Sequence, residues 1–290
     1  MQNNSYRFHN NHCNNENYKK YLVIFVDLLG TKNRKNFDEQ FHIISIFHEE
    51  FEKNQNLDKD YTVYFRKIYT FSDCAYIFYG FKDGVEESKK DIGKLFTTAL
   101  VNCEPIFLRF LSENIYFRGG VYYGDAYISN NRNMFFGEAV NQAYLLENNA
   151  KTPRILVDDY VAKVFQENVD KVTDVISSHD PVSDILYVLG VKNNYPDTGD
   201  LLVFKDEDNK YVFNYFHLLY CFPEIFLNNM SVNISLVDQV MSYCESQLNE
   251  QHEKNIKEKY EYLKKFCQRT KNEISVADFI KQTLVSRIFE

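Results

Sequence analysis

Apolar runs along this chain change period in the order β-α-β-β-α-β-β-α-β, which predicts an α/β (α+β) sandwich of the ferredoxin-like kind with one helix-covered face. Three observations carry that prediction. Tyr21 to Val26 is a continuous apolar run that stops at Asp27-Leu28-Leu29-Gly30, the pattern of a buried strand ending in an acid. Two runs dense in Val, Ile, Tyr and Phe, Tyr61 to Tyr69 and Cys74 to Gly80, lie on either side of Thr70-Phe71-Ser72-Asp73. They suit a pleated, half-buried surface and predict an antiparallel hairpin with Asp73 at its tip. Segments with helical spacing separate these strands.

The elements follow in order. Residues 1–19 are rich in Asn and polar groups and predict a flexible tail; His9, His12 and Cys13 lack a fourth ligand for a metal site. Phe37, Phe41, Ile44, Phe47 and Phe51 recur at helical spacing. Gly84 to Phe110 predicts a second helix with Ile92, Leu95, Phe96, Ala99, Leu100, Cys103 and Phe107 inside, and Pro105 is a potential kink or break. Ile115 to Gly124 predicts a strand broken by Gly119-Gly120, a candidate bulge. Ala126 to Ser129 and Met134 to Phe136 predict short strands about an Asn-Asn turn. A helix over Gly137 to Asn149 places Ala139, Val140, Ala143, Leu146 and Ala150 inside; Ile155 to Val157 is a strand and Asp159 to Val169 a helix.

After residue 169 the pattern changes. Residues 20–169 form the expected core and 170–290 an extension of strands (Ile185 to Val191, Leu201 to Phe204, Tyr211 to Phe216) followed by charged helices over Val232 to Arg269. Its Glu253 to Lys265 portion predicts a solvated helix face. His179 and His217 have no ligand spacing around them and are expected to be structural.

Composition bounds the function. The chain has 290 residues, 44% of them hydrophobic, and a formal charge of −8, which disfavours a nucleic-acid binder but leaves room for a nucleotide pocket bridged by divalent cations. The longest apolar run, YLVIFV, is too short for a membrane span. Six scattered cysteines without a C-x-x-C pair, and no signal peptide ahead of them, predict reduced thiols and a cytoplasmic location.

The chemistry-bearing pair is Asp27 and Asp73, which this topology places at the ends of neighbouring strands. Each alone is turn chemistry or a metal ligand; together they can hold two hard divalent cations that grip a triphosphate. The Leu28 carbonyl adds an oxygen, and the Leu29 and Gly30 amides add phosphate donors.

Four segments, FVDLLG, YTFSD, FRGGVYYGD and FFGEAVNQAYLLE, resemble the class III nucleotidyl cyclase catalytic domain, and their flavour is similar to the bacterial pyrimidine cyclases of the Pycsar antiphage system. The resemblance spans Tyr21 to Phe165. It implies that Asp27 and Asp73 bind two Mn²⁺ or Mg²⁺ ions per site with the Leu28 carbonyl. Asn141 would orient the ribose, and Tyr69 and Met134 would stand where purine cyclases carry their base-reading polar residues. Those two substitutions suit a pyrimidine triphosphate, UTP slightly before CTP, a phenol being able to accept or donate. The alternatives are a purine cyclase and a catalytically silent nucleotide-binding or interaction domain. Leu145 replaces the family's phosphate-stabilising Arg, for which Arg118, Arg132 or Lys32 are candidate substitutes. The resemblance further implies a homodimer with composite sites, a cyclic nucleotide product acting on a separate effector, and no membrane or nucleic-acid partner.

Overall fold

The computed structural model describes residues 18–31, 34–55, 62–129, 133–173, 202–221, 224–227, 230–250 and 253–288. The polar tail up to residue 17, Lys32, Arg132, His179 and the strand expected at Ile185 to Val191 lie outside them.

β1 (Tyr18–Leu28) is the central strand, and its side chains are buried on both faces. Leu22, Ile24, Val26 and Leu28 face one core; Tyr21, Val23 and Phe25 face another. Such a run has no polar alternation because neither face meets water. β1 pairs antiparallel with β3 (Cys74–Phe81) on one side and with β4 (Phe117–Ile128) on the other, and β3 pairs with β2 (Tyr64–Phe71). The resulting order β2-β3-β1-β4 is that of a ferredoxin-like βαββαβ unit, as expected. The helices of that unit are α1 (Phe37–Gln55) and α2 (Ile92–Ser112).

Several local expectations change. α2 runs continuously through Pro105 and begins eight residues later than expected, after a 3-10 turn at Glu87–Lys89. Asp91 caps it, its carboxylate accepting from the Lys94 N–H at 3.0 Å. In α1 the buried side is Ile43, Ile46, Phe47 and Phe51, whereas Phe37 and Phe41 stack on each other in solvent.

Gly119-Gly120 does not break β4. A Cβ on Gly119 would strike the Phe25 carbonyl, and one on Gly120 would strike the backbone of Ala143 and Glu147 and the Leu146 Cβ. The glycines are there for close approach, and what approaches Gly120 is α3 (Glu138–Ala150). This helix lies across the face opposite α1 and α2, with Ala139, Val140 and Ala143 against Val23 and Phe25. Both faces of the sheet therefore carry helix, not one.

β5 (Phe135–Gly137) pairs with one end of β4, and β6 (Ile155–Val157) lies parallel to the other. α4 (Asp159–Thr173) follows and packs on α2. The sheet then continues past residue 170, because β8 (Tyr211–Phe213) pairs with β6, and β7 (Val203–Lys205) with β8. A short helix α5 (His217–Cys221), a hairpin of β9 (Glu224–Leu227) and β10 (Met230–Asn233), and helices α6 (Ser235–Glu250) and α7 (Lys254–Ile288) complete the chain.

Two polar clusters tie this part to the core. Arg154, before β6, bonds Asp206 (2.6 Å) and Asp208 (2.7 Å) at the β7–β8 turn; its guanidinium holds the Asp208 carboxyl at about 2, and Tyr262 of α7 donates to Asp206 at 2.8 Å. Glu104 of α2, fully buried, accepts from the Leu218 N–H and meets His217 Nδ1 at 3.1 Å. Burial pushes the Glu104 carboxyl up, and His217 opposes that shift. His217 is thus structural, as its sequence context implied.

Gly120→Ala is expected to destabilise the protein by roughly 2 kcal/mol or more, because the obstructing atoms include backbone that cannot step aside. Urea unfolding of the variant checks this; an unchanged midpoint would mean that α3 is free to shift.

Candidate metal and nucleotide site

The site forms where β1 ends against the β2–β3 hairpin. Asp27 is the register partner of Cys74, so Asp73 stands one residue beyond it at the same sheet end. The Leu28 N–H donates to the Asp73 carbonyl at 2.9 Å, fixing the two segments side by side. Ser72 adopts a positive φ of 48°, which closes the tight turn and sets Asp73 at its exit. His48 Nε2 of α1 lies 2.9 Å from the Ser72 carbonyl and pins the tip, and the Thr31 hydroxyl donates to the Asp73 carboxylate. A cleft of about 270 Å³ opens beside Asp73, lined by Thr31, Arg34, Gln40, Ile43 and Ser72.

Asp27 has a cationic neighbour. Arg118, its register partner on β4, places Nη2 3.5 Å from the Asp27 carboxylate, and its Nε pairs with Glu147 of α3. Asp27 and Arg118 are about a quarter exposed, whereas the Glu147 side chain is 2% exposed. Burial pushes the Glu147 carboxyl up to about 7; Arg118 opposes the shift and Asp27 adds to it. The Cys74 thiol is likewise pushed up to about 11, by burial and by Asp27 and Asp73.

The other sequence-predicted residues form a second group. Tyr69 is buried, its ring 4.7 Å from that of Phe135, and its hydroxyl donates to the Ser129 carbonyl at 3.2 Å. The Ser129 N–H in turn donates to the Met134 carbonyl at 2.9 Å, so Tyr69 and Met134 meet around Ser129. Tyr69 lies within β2, two residues before its end, and Asp73 stands in the turn that follows. Asn141 is exposed on α3, and so is Leu145.

One expectation is corrected here. The Leu29 N–H donates to the Tyr116 carbonyl at 2.8 Å, so it is not available as a phosphate donor. Gly30 is exposed, has φ of +84° and has no obstruction where a side chain would be. Sequence reasoning missed Glu147 and Thr31. Glu147 had a signal: it falls four residues after Ala143 in the inner-face series of α3, where a carboxylate demands a partner. Thr31 carried no pattern beyond its place after Gly30.

Two carboxylates at one sheet end, with a backbone carbonyl alongside, fit the hard-oxygen chemistry of Mg²⁺ or Mn²⁺, which take one or two protein carboxylates and complete their shell with water and phosphate. Among the described residues no group of three or more His, Cys, Asp or Glu side chains gathers as an all-protein metal cage. No helix among them is long and apolar enough to cross a membrane, and Cys74, Cys103, Cys244 and Cys267 are free thiols.

No protein-family model and no curated protein matches this sequence. Among solved structures, the chain is similar to the catalytic core of a rhodopsin-guanylyl cyclase with converted specificity, in complex with ATPαS. The identity is 17% over 51% of this chain and 82% of that one, with a TM-score of 0.39. It is also similar to a non-canonical dimeric guanylyl cyclase domain of the RhoGC fusion protein from the aquatic fungus Blastocladiella emersonii, at 15% identity over 52% and 85% of the two chains, TM-score 0.39. A class III adenylyl cyclase-like ATP-binding protein from Pseudomonas aeruginosa matches at 12% identity over 58% of this chain and 37% of that one, TM-score 0.37.

Glu147 gives a pH signature. Its folded pKa lies above the ordinary carboxylate value, so between about pH 4.5 and 7 the folded chain keeps a proton that the unfolded chain has released. The stabilisation is complete below that window and is lost as pH rises through about 7. Glu147→Gln, which cannot ionise, is therefore expected to gain on the wild type by on the order of 2 kcal/mol between pH 5 and 8. Paired urea titrations at the two pH values check this, and a difference independent of pH would contradict it.

Proposed function

We propose, from the chain's own residues, that it is a class III nucleotidyl cyclase that converts a pyrimidine nucleoside triphosphate, UTP or CTP, to the 3′,5′-cyclic monophosphate and pyrophosphate. The observation that carries the proposal is the placement of Asp27 and Asp73 on adjoining segments at one sheet end, tied by the Leu28 N–H to Asp73 carbonyl bond. The FVDLLG and YTFSD segments that resemble the cyclases supply these two acids.

Divalent ions held there would lower the pKa of the ribose 3′-hydroxyl and neutralise the triphosphate. Asp27, Asp73 and the Leu28 carbonyl would hold them. Thr31 orients the Asp73 carboxylate by donating to it, which leaves the other carboxylate oxygen to bind. The Gly30 amide is the candidate donor to a phosphate oxygen. Asn141 would fix the ribose so that its 3′-oxygen lies in line with the α-phosphorus; that O–P bond forms as the bond to pyrophosphate breaks, and the hydroxyl proton passes to solvent. Most of the rate enhancement would then come from position and charge neutralisation.

Tyr69 supports a pyrimidine base because a ring standing in for a long polar side chain narrows a pocket; with its O–H donated to the Ser129 carbonyl, its oxygen is left only to accept. The Tyr69 hydroxyl is engaged by Ser129 rather than by the acids, which supports a composite site in which one protomer supplies the acids and its partner the base-facing residues. Phe71, Met134, Phe136, Tyr144 and Leu145 are all exposed, apolar surface of the kind that a homodimer would cover. A soluble cyclic nucleotide made in this way would act on a separate effector.

Incubating the full chain with each of the four ribonucleoside triphosphates and Mn²⁺, and identifying products by mass, tests the proposal. Cyclic UMP or cyclic CMP is the expected product, and Asp73→Ala should lower its yield about 100-fold or more. A purine cyclic nucleotide as the main product would overturn the base assignment. Full yield from Asp73→Ala would overturn the metal assignment.

A further inference from the structure

Arg118 sits between two carboxylates of unequal standing. Glu147 is buried, rises from α3 and forms an ion pair at the Nε edge of the guanidinium, without hydrogen-bond geometry between those two atoms. Asp27 is partly exposed and meets the Nη2 edge at 3.5 Å. Arg118 and Asp27 are also cross-strand register partners, so β1–β4 pairing sets their proximity whatever else binds. Because Arg118 is anchored from behind by a buried group, it cannot swing freely into solvent, and the cationic edge left over lies against the carboxylate assigned above to divalent ions.

We propose that Arg118, clamped on Glu147, is an internal counter-cation that competes with divalent metal for Asp27, so that the pair Arg118–Glu147 sets the metal affinity of the nucleotide-free chain. The proposal rests on the metal assignment of the preceding section and adds a regulatory element to it. A metal ion arriving at Asp27 must displace the Nη2 edge, whereas Glu147 retains the Nε edge. The guanidinium then stays at the margin of the site with donors released toward the anion that the metal recruits. Arg118 and Glu147 are positioning residues in this scheme, and neither ligates the metal.

The direct test is Mn²⁺ binding to the full chain without nucleotide, read from the electron paramagnetic resonance signal of free Mn²⁺ at pH 8. The informative variant is the double substitution Arg118→Met with Glu147→Gln, which removes the clamp and leaves net charge unchanged. A partly exposed ion pair is worth a few-fold in affinity, so the double variant should bind Mn²⁺ roughly threefold to fivefold tighter than the wild type. A purely long-range electrostatic influence predicts no change in that variant. Arg118→Lys, a smaller disturbance should the double variant fail to fold, keeps the charge but replaces a fork with one ammonium. The buried Glu147 should retain that ammonium, and Mn²⁺ should again bind about twofold tighter. Asp27→Asn separates the two layers of inference. If it weakens Mn²⁺ binding while the Arg118 variants match the wild type, the competition is refuted and the metal site stands. If Asp27→Asn leaves Mn²⁺ binding unaltered, the metal assignment fails and the competition fails with it.

Discussion

The structure depends on the register of β1 against β3. Asp27 opposite Cys74 puts Asp73 one residue further on, and the Leu28 N–H to Asp73 carbonyl bond locks that offset. A slip of one residue would turn Asp27 toward the α1–α2 core and bring Val26 or Leu28 to the site. Burial of β1 on both faces forbids such a slip, because Leu22, Ile24 and Val26 would trade places with Tyr21, Val23 and Phe25 in cores of different shape. The same packing that stabilises the sheet therefore aims the acid.

Two-sided burial also explains the company around the site. α3 can cover the second face because Gly120 lets its backbone come within contact of β4. That close approach brings Glu147 over Arg118, and the register of β1 with β4 brings Arg118 over Asp27. A chain of three charged groups thus runs from a helix through two strands to the sheet end. On the far edge of β4, Arg154, whose carbonyl accepts from the Gly119 N–H, and Glu104 of α2 fasten the later strands and helices to the core, so the extension shares the main sheet rather than hanging from it.

Much of this is legible in the amino-acid order. The hairpin with Asp73 at its tip, the apolar β1 ending at Asp27, and the inner face of α2 all follow from period and residue type, because each is set by local burial. What was not legible depended on partners distant in sequence. Gly119-Gly120 resembles a break unless one knows that a helix and a neighbouring strand press on it. Phe37 and Phe41 continue the apolar spacing of α1 but lie beyond the end of the surface it packs on. The Leu29 amide is a free donor on paper and is engaged by Tyr116 in the fold. The union of β8 with β6 likewise cannot be read from either short strand alone.

The central claim is that Asp27 and Asp73 hold the same cations. The most direct measurement is anomalous diffraction at the manganese edge from crystals of the chain grown with Mn²⁺ and a non-hydrolysable UTP analogue. Peaks touching both carboxylates and the analogue's phosphates are the predicted result. Manganese bound at one aspartate alone, or away from both, would contradict it.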